Sequence, residues 1–301
     1  MKDIVIIGNG PAGLSAAIYG MRAGRDLVVI SDSPVGGGQI ATTYEVDNYP
    51  GLPDMSGMEL GKRFLEHARK LGCEVTLGRV TEIRDGGDTK TVVTDGGEIE
   101  TKTVIIATGA THSKLGVPGE EEHVGMGVSY CATCDGAFFR NRITAVVGGG
   151  DVALEDAIYL SRFASKVYLI HRRDAFRGAK ILQDQVIAAD NIEILYDTIV
   201  KEVTGGDVVE NLLIENVKTK EQTALPVNGV FMAVGTHANL EGIKGLPTRN
   251  EAGYIVADES CQTDIPGVFA AGDVRTKPLR QVVTAVADGA NAITSIEAYL
   301  L

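Results

Sequence analysis

The sequence predicts an α/β fold made of two similar units, each with a parallel sheet, and with one unit inserted into the other. An apolar strand, a glycine-rich turn, a helix and a second strand follow one another near the amino terminus, and the same order recurs about 140 residues later. The 301 residues suffice for two domains that each bury a core. Candidate crossings near residues 112–118 and 236–246 make the second unit the insertion.

The first unit opens with the strand Asp3–Ile7, the glycine-rich turn Gly8–Gly13 and an alanine-rich helix that runs through Ala23. In a Rossmann-like unit such glycines let the backbone approach a pyrophosphate, whose charge lies at the helix amino terminus. A second strand, Leu27–Ile30, is followed by Asp32. An acidic side chain there accepts hydrogen bonds from ribose hydroxyls and repels a 2′-phosphate, so we expect this unit to bind FAD or NAD.

The second unit repeats this order with the strand Ile143–Val147, the turn Gly148–Ala153, a helix to about Phe163 and the strand Val167–Ile170. A basic segment follows, and it contains His171, Arg172, Arg173 and Arg177. Guanidinium groups match phosphate oxygens with paired hydrogen bonds, so this segment fits the 2′-phosphate of NADPH. A solvated basic turn is the alternative interpretation, but the net charge of −12 makes a basic cluster at this place unusual.

The remaining sequence is rich in strands separated by glycine turns. Two Asp-Gly-Gly turns, at residues 85–87 and 95–97, divide short alternating strands that are typical of an accessory sheet layer. The apolar runs Thr103–Gly109 and Gly229–Gly235 predict buried strands that end in small-residue turns. A last run, Gly267–Asp273, leads to a helix from about Arg280 to the carboxyl terminus.

Two of the four cysteines are close in sequence, in the motif Cys131-Ala132-Thr133-Cys134. This spacing suits a reversible disulfide, a structural disulfide or half of a zinc site. A zinc site needs two more ligands, and the sequence holds no second Cys-x-x-Cys motif, so we expect a redox pair and no metal. We also expect a helix to begin at Asp135. Cys73 and Cys261 are isolated and fit small buried hydrophobic side chains.

The composition argues against a nucleic-acid or membrane partner. A net charge of −12 opposes binding to phosphate backbones and to anionic membranes. No apolar run reaches the roughly eighteen residues of a membrane span. The run Ile4–Ile7 is too short for the core of a signal peptide. We therefore expect a cytoplasmic protein.

Further motifs extend the pattern over nearly the whole chain. They are Gly37-Gly38-Gln39, Asn48-Tyr49-Pro50-Gly51, Ala107-Thr108-Gly109 and Ala271-Gly272-Asp273 with Arg280-Gln281. Together with the glycine turns, the cysteine motif and the basic segment, they make the chain resemble the low-molecular-weight, bacterial-type thioredoxin reductases, which are class II pyridine nucleotide-disulfide oxidoreductases. The resemblance implies two Rossmann-like three-layer (ββα) dinucleotide-binding domains and a homodimer. The FAD domain would comprise residues 1–113 and 240–301, and the inserted NADPH domain residues 114–239.

The resemblance also implies roles for individual residues. Cys134 would face the flavin, Cys131 would attack the disulfide of thioredoxin or a thioredoxin-like protein, and Asp135 would act as acid and base. The residues expected around FAD are Gly8, Gly10, Pro11, Ala12, Gly13, Asp32, Gly38, Gln39, Asn48, Thr108, Gly109, Gly272, Asp273, Arg280, Gln281 and Val282. The residues expected around NADPH are Gly148, Gly150, Asp151, Val152, Ala153, His171, Arg172, Arg173 and Arg177. Because the cysteine pair and the NADPH site share one domain, we expect that domain to rotate so that each reaches the flavin in turn.

Two positions depart from the resemblance. Met126 stands where many members carry Lys or Arg for docking thioredoxin, which leaves the identity of the partner open. Val152 stands where many members carry Ser or Thr, and this removes a hydroxyl contact to the nucleotide worth about 1 kcal/mol.

Three other functions remain as alternatives. The first is a flavoprotein of the same fold with another electron donor or partner: a ferredoxin-dependent reductase, a dithiol oxidase or a peroxide-system reductase. The second is an NADPH diaphorase, and the third a redox sensor without turnover. The basic segment argues against a donor other than NADPH, and the cysteine motif argues against a diaphorase.

Overall fold

The computed structural model describes residues 1–43 and 46–301. The strands are β1 (Lys2–Ile7), β2 (Leu27–Ser31), β3 (Glu74–Leu77), β4 (Val80–Asp85), β5 (Lys90–Thr94), β6 (Gly97–Ile106), β7 (Ala110–His112), β8 (Val128–Ser129), β9 (Ile143–Gly148), β10 (Lys166–Ile170), β11 (Ile192–Leu195), β12 (Thr198–Gly205), β13 (Val209–Asn216), β14 (Gln222–Pro226), β15 (Gly229–Ala233), β16 (Thr236–Ala238) and β17 (Val268–Ala270). The α-helices are α1 (Pro11–Arg22), α2 (Gly57–Lys70), α3 (Ala132–Asp135), α4 (Asp151–Ser161), α5 (Lys180–Ala188) and α6 (Val282–Tyr299). Two 3₁₀ helices cover Gly38–Thr42 and Gly136–Phe139. Among these described residues, no helix has the length and apolar character of a membrane span.

The described chain forms two compact units. One comprises residues 1–111 and 237–301, and the other comprises residues 112–236. We call them the host unit and the inserted unit. The strands β7 and β16 carry the chain across the two division points, and they pair as a two-stranded sheet. The division points lie two and three residues before the 113/114 and 239/240 boundaries expected from the sequence.

The host unit is built on a seven-stranded sheet in the order β3-β2-β1-β6-β5-β4, with β17 also paired to β6. The pairs among β1, β2, β3, β17 and the end of β6 are parallel, whereas β4, β5 and the start of β6 are antiparallel. Alternate residues of β1 face opposite sides of the sheet. Ile4 and Ile6 pack with α1 and α6, while Val5 and Ile7 pack with side chains of β4 and β5.

The inserted unit has a five-stranded parallel sheet in the order β11-β10-β9-β15-β8. One core cluster joins this sheet to α4 and α5 through Leu154, Leu160 and Phe231. The other joins it to the antiparallel sheet β12-β13-β14 through Val147 and Leu212. The inserted unit therefore has two β layers and one α layer. In the host unit, the antiparallel end of the single sheet packs against its parallel part, and the expected α/β fold class is confirmed.

Three elements differ from those expected. The strand before Gly109 is longer, because the first half of β6 continues the hairpin with β5 and the second half pairs with β1. The strand β17 is only three residues long, Val268–Ala270. The helix at the cysteine motif begins at Ala132 and ends at Asp135, where a helix start was expected. It starts early because the amides of Cys134 and Asp135 both donate to the carbonyl of Cys131.

Candidate functional site

The turn between β1 and α1 has the shape of a phosphate-binding turn. Gly10 is the N-cap of α1 and Pro11 its first residue, a position where the missing N–H and fixed φ of proline suit a helix. A Cβ at Gly13 would lie 1.9 Å from the carbonyl oxygen of Gly8, so glycine is needed for this close packing. Beside Gly10, the nearest atom to an added Cβ lies 3.9 Å away, which leaves the backbone accessible to a ligand.

A second glycine segment lies against this turn. The amide of Gly37 donates to the carbonyl of Asn9 at 3.0 Å, and a Cβ at Gly38 would lie 3.4 Å from the Cα of Gly10. The structure thus brings together Gly10 and Gly38, which are far apart in sequence. Gln39 follows in the same 3₁₀ helix and is exposed.

The buried Asn9 holds the loop that follows β2. Its amide nitrogen Nδ2 donates to the carbonyls of Ser33 and Val35 at 2.9 and 3.1 Å. Asp32 precedes these residues and is exposed directly after β2, where the sequence predicts a ribose contact. In the glycine-rich sequence motif, Asn9 is only the residue between two glycines. Its hydrogen bonds to the loop after β2 make it a positioning residue for Asp32.

Two buried polar atoms of the host unit have no hydrogen-bond partner within residues 1–43 and 46–301: Oγ1 of Thr108 and Oδ1 of Asp273. Thr108 follows β6 and Asp273 follows β17, and both strands run parallel to one another and to β1. Their carboxyl ends therefore meet at one sheet edge, where open α/β sheets bind ligands. A hydroxylated chain such as that of FAD would satisfy both atoms, so these residues fit this cofactor.

The start of α6 closes the same group of residues. Arg280 lies over the ring of Tyr254 at 4.0 Å, and its Nε donates to the carbonyl of Asp273 at 3.3 Å. Gln281 is the N-cap of α6, and its Oε1 accepts a hydrogen bond from Nδ2 of Asn48 at 2.8 Å. Val282 is buried at the first position of the helix.

Behind Asp273 lies a buried ionic cluster that the sequence did not predict. Asp288 accepts four hydrogen bonds: from the amide of Gly272 at 2.8 Å, from Nζ of Lys277 at 2.8 Å, and from Nε and Nη2 of Arg275 at 2.9 and 2.7 Å. Burial raises the pKa of the Asp273 carboxyl, while the positive charges of Lys277 and Arg280 oppose this rise. The cluster therefore fixes the Gly272–Asp273 turn and places positive charge beside it.

The glycine turn of the inserted unit leaves space for a second nucleotide. Gly150 is the N-cap of α4, and an added Cβ there would meet no atom within 4 Å. Ala153 takes the place that Gly13 has in the host unit, and Gly148 makes room for it. A Cβ at Gly148 would lie 2.6 Å from the Cβ of Ala153.

The basic segment is fastened to this turn through its backbone. The amides of Arg177 and Gly178 donate to the carbonyl of Gly149 at 2.8 and 3.2 Å, and the amide of Ala179 donates to Oδ1 of Asp151 at 2.7 Å. The side chains of Arg172, Arg173 and Arg177 are exposed. The predicted pyrophosphate and 2′-phosphate residues therefore lie next to each other, and the three guanidinium groups are accessible to a ligand.

His171 differs from the three arginines because it is buried, with 5% of its surface exposed. A Cβ at Gly149 would lie 2.2 Å from the imidazole ring, so glycine is required there. The ring nitrogen Nε2 lies 3.0 Å from the carbonyl of Ala175. Through these contacts, His171 holds the backbone of the basic segment in place against the glycine turn.

The cysteine motif forms a disulfide, with the Cys131 and Cys134 sulfurs 2.16 Å apart and their Cα atoms 5.3 Å apart. Cys131 is the N-cap of α3, and both cysteines are half-buried. Asp135 follows directly, and burial raises the pKa of its carboxyl. A hydroxyl group of Ser129 donates to its Oδ2 at 2.6 Å. The pair therefore sits beside a carboxyl group that is suited to hold a proton.

The other two cysteines have no such surroundings. Cys73 and Cys261 are free and buried. Burial raises the pKa of Cys73 to about 11 and that of Cys261 to about 12. Since the thiolate is the reactive form, both sulfurs are unreactive at neutral pH.

The sequence profile of the pyridine nucleotide-disulphide oxidoreductases matches residues 2–289. The chain belongs to this family. Proteins named thioredoxin reductase from Listeria innocua and Bacillus subtilis are 44% and 43% identical to this oxidoreductase. Their alignments cover 99% of its chain and 93% and 94% of theirs. The crystal structure of thioredoxin reductase from Streptococcus pyogenes superposes with a TM-score of 0.95 at 48% identity, covering 100% of this chain and 98% of that one.

The two departures from the resemblance are both exposed in this oxidoreductase. Met126 is 46% exposed, in the turn before β8, and Val152 is 61% exposed, in the first turn of α4. Both side chains therefore present an apolar surface at these two positions.

Proposed function

We propose that this oxidoreductase is an NADPH-dependent flavoprotein that reduces the disulfide of thioredoxin, or of a thioredoxin-like protein, through the Cys131–Cys134 pair. The main support is that disulfide, which lies beside the half-buried carboxyl group of Asp135 and in the same unit as the basic segment. Relatives that are named thioredoxin reductase and match almost the whole chain support the same activity.

The host unit is proposed to hold FAD and the inserted unit NADPH. The accessible backbone at Gly10 supports the first assignment, as do the polar atoms of Thr108 and Asp273 that have no hydrogen-bond partner among the described residues. The open turn at Gly150 and the exposed arginines support the second. FAD, when bound, accepts two electrons from NADPH and can pass them to a disulfide. The protein supplies the positions and charges around both cofactors.

The cysteine pair then exchanges with the partner. The thiolate of Cys131 attacks one sulfur of the partner disulfide, the partner S–S bond breaks, and the departing sulfur takes up a proton. The thiolate of Cys134 next attacks the Cys131 sulfur, which re-forms the bond seen in the structure and releases the second partner sulfur as a thiol. Asp135 is proposed to hold and deliver protons, because burial raises the pKa of its carboxyl towards the working pH.

Three further properties belong to this proposal. The inserted unit rotates about the crossing segments near residues 112–118 and 236–246, because the cysteine pair and the basic segment share that unit and each must reach the flavin. A covalent cross-link between the units is expected to block turnover, and unimpaired turnover would contradict the rotation.

The protein forms a homodimer, which sedimentation measures, and it acts in the cytoplasm, where thiols are kept reduced.

The central experiment compares two cysteine variants with the wild-type protein in the presence of NADPH, FAD and oxidised thioredoxin. The wild type should release thiols with NADPH in preference to NADH. Cys134→Ser should accumulate a mixed disulfide with thioredoxin through Cys131, whereas Cys131→Ser should not. Full activity in Cys131→Ser would refute the assigned nucleophile, and a purified protein that binds no flavin would refute the proposed function.

A further inference from the structure

One buried hydroxyl group connects the cysteine motif to its neighbouring acid. Ser129 is 5% exposed and lies on β8, where its backbone is fixed opposite Phe231 of β15. Its Oγ accepts a hydrogen bond from the amide of Cys131 at 3.0 Å and donates to Oδ2 of Asp135 at 2.6 Å. The hydroxyl therefore contacts both ends of α3, the helix that carries the cysteine motif.

The direction of these hydrogen bonds follows from the number of protons. A serine hydroxyl has a single proton to donate, and it serves as acceptor towards the Cys131 amide. The carbonyl of Cys131 lies 3.4 Å from Oγ, while Oδ2 of Asp135 lies at 2.6 Å, a distance typical of a hydroxyl bound to a carboxylate. The proton is thus directed to Oδ2, and Oδ1 is the oxygen left to exchange a proton.

We propose that Ser129 is a positioning residue for the dithiol reaction, which fixes Oδ2 of Asp135 as a hydrogen-bond acceptor and assigns proton exchange to Oδ1. This inference rests on the proposed function, in which Asp135 carries protons for the cysteine pair. It adds Ser129, which neither the sequence motif nor the family resemblance singled out.

Among the groups near Asp135, the hydroxyl of Ser129 contributes most to stabilising the ionised form of the carboxyl. Burial raises the pKa of Asp135, and the hydrogen bond from Ser129 lowers it. The helix α4 packs against α3, and its ionisable side chains on the side of Gly136 are Tyr159 and, one turn earlier, Asp156. The cation at the end of α4, Arg162, is exposed and lies over the Tyr159 ring at 5.8 Å. The phenol of Tyr130 is bonded to Glu120 at 2.9 Å. The 3₁₀ helix Gly136–Phe139 holds no ionisable side chain.

The test measures the protonation of Asp135 directly. Infrared difference titration of the oxidised, FAD-loaded protein follows the carboxyl C=O band, which Asp135→Asn assigns by removing it. Ser129→Ala should raise the pH at which this band titrates by roughly one unit or more, because a hydrogen bond to a charged group is lost. Ser129→Thr keeps the hydroxyl and should titrate like the wild type. The pH profile of thioredoxin reduction should move in the same direction in Ser129→Ala and not in Ser129→Thr.

The matched control is Thr144→Val, which removes a buried hydroxyl of the same unit that has no partner among the described residues. It should leave the Asp135 band in place. An unshifted band in Ser129→Ala, or an equal shift in Thr144→Val, would overturn the inference. Ser129→Val lacks the hydroxyl, suits a strand and matches Ser129→Thr in shape, so it provides a second deletion if Ser129→Ala does not fold. A wild-type protein that shows the Asp135 band but does not reduce thioredoxin would refute the proposed function. The effect of Ser129→Ala on the titration of Asp135 could still be measured in that case.

Discussion

The host unit and the inserted unit place their charged side chains in opposite ways. In the host unit, the side chains of Arg275 and Lys277 are 2% and 3% exposed and are paired with the buried Asp288. In the inserted unit, Arg172 and Arg173 are exposed, and within the described part of the chain neither side chain has an acidic partner. Charged side chains therefore have different roles in the two units. In the host unit, buried and paired ions hold a turn in place. In the inserted unit, exposed cations on a hydrogen-bonded backbone are available to bind a phosphate.

The largest effect should come from breaking the buried cluster. Asp288→Asn leaves Lys277 without its counter-charge and leaves Arg275 with only the exposed Glu259 as an acidic partner. Removing one partner of a buried ion pair costs about 3–5 kcal/mol of unfolding free energy. The Gly272–Asp273 turn should also loosen, so we expect less FAD to remain bound after gel filtration. Denaturant unfolding and the flavin-to-protein absorbance ratio measure the two effects.

The control for this prediction is Asp26→Asn in the same unit. Asp26 forms an exposed ion pair with Lys2 at 2.8 Å, and such pairs contribute less than about 1 kcal/mol. If Asp288→Asn destabilises the protein no more than Asp26→Asn, the cluster does not fix the turn as described.

The second effect concerns the exposed arginines. Arg172→Ala or Arg173→Ala should raise the KM for NADPH roughly ten- to a hundredfold, because each removes charge-assisted hydrogen bonds worth about 1.5–3 kcal/mol. The KM for NADH and the unfolding midpoint should not change. Lys201→Ala, an exposed cation on β12, serves as control. An equal loss with NADPH and NADH would show that the arginines do not read the 2′-phosphate.

A smaller effect should follow from adding a hydroxyl to the glycine turn of the inserted unit. Val152→Thr adds a donor in the first turn of α4, at a side chain that is 61% exposed. One neutral hydrogen bond is worth about 1 kcal/mol, so the KM for NADPH should fall about fivefold. Ile181→Thr, an exposed apolar residue of α5, should leave KM unchanged. A KM unaffected by Val152→Thr would place the ligand away from this side chain.

The smallest effect concerns the half-buried ring of His112. Burial lowers the pKa of His112, whose ring stacks on Tyr130 at 5.4 Å between centroids. The unfolded chain therefore takes up a proton first as the pH falls, and the free energy of unfolding should decrease below the ordinary histidine pKa of about 6.5. His112→Phe should make this decrease shallower in pH-dependent unfolding. His67→Phe, at an exposed position of α2, should not, and the same slope in both variants would exclude His112 as the cause.

The sequence predicted the features that depend on local stereochemistry. The turn at Gly8–Gly13 could be recognised because close packing excludes a side chain at Gly13, and the basic segment because it follows a strand at a fixed place. The start of α3 was misplaced because its first turn is set by hydrogen bonds to the Cys131 carbonyl, which no residue type signals. The length of β6 depends on two different pairing partners and was not visible from its own residues.

The positioning residues were missed for a different reason. Asp288 lies in α6, where an isolated acid usually reads as a solvent-facing position, and only the tertiary structure shows its four donors. Ser129 belongs to a two-residue strand and looks like any small polar residue. Its role depends on the distance between Asp135 and the Cys131 amide, which the spacing of the motif does not specify.

The pairing of β6 with both β1 and β17 has a consequence for synthesis on the ribosome. β17 lies beyond residue 236, so the host sheet lacks a strand and the core helix α6 until the last part of the chain has emerged. The inserted unit, by contrast, is continuous in sequence and has all its strands earlier. Translation therefore delivers a complete insert while its host still exposes an open edge, the stage at which nascent chains most need protection from aggregation.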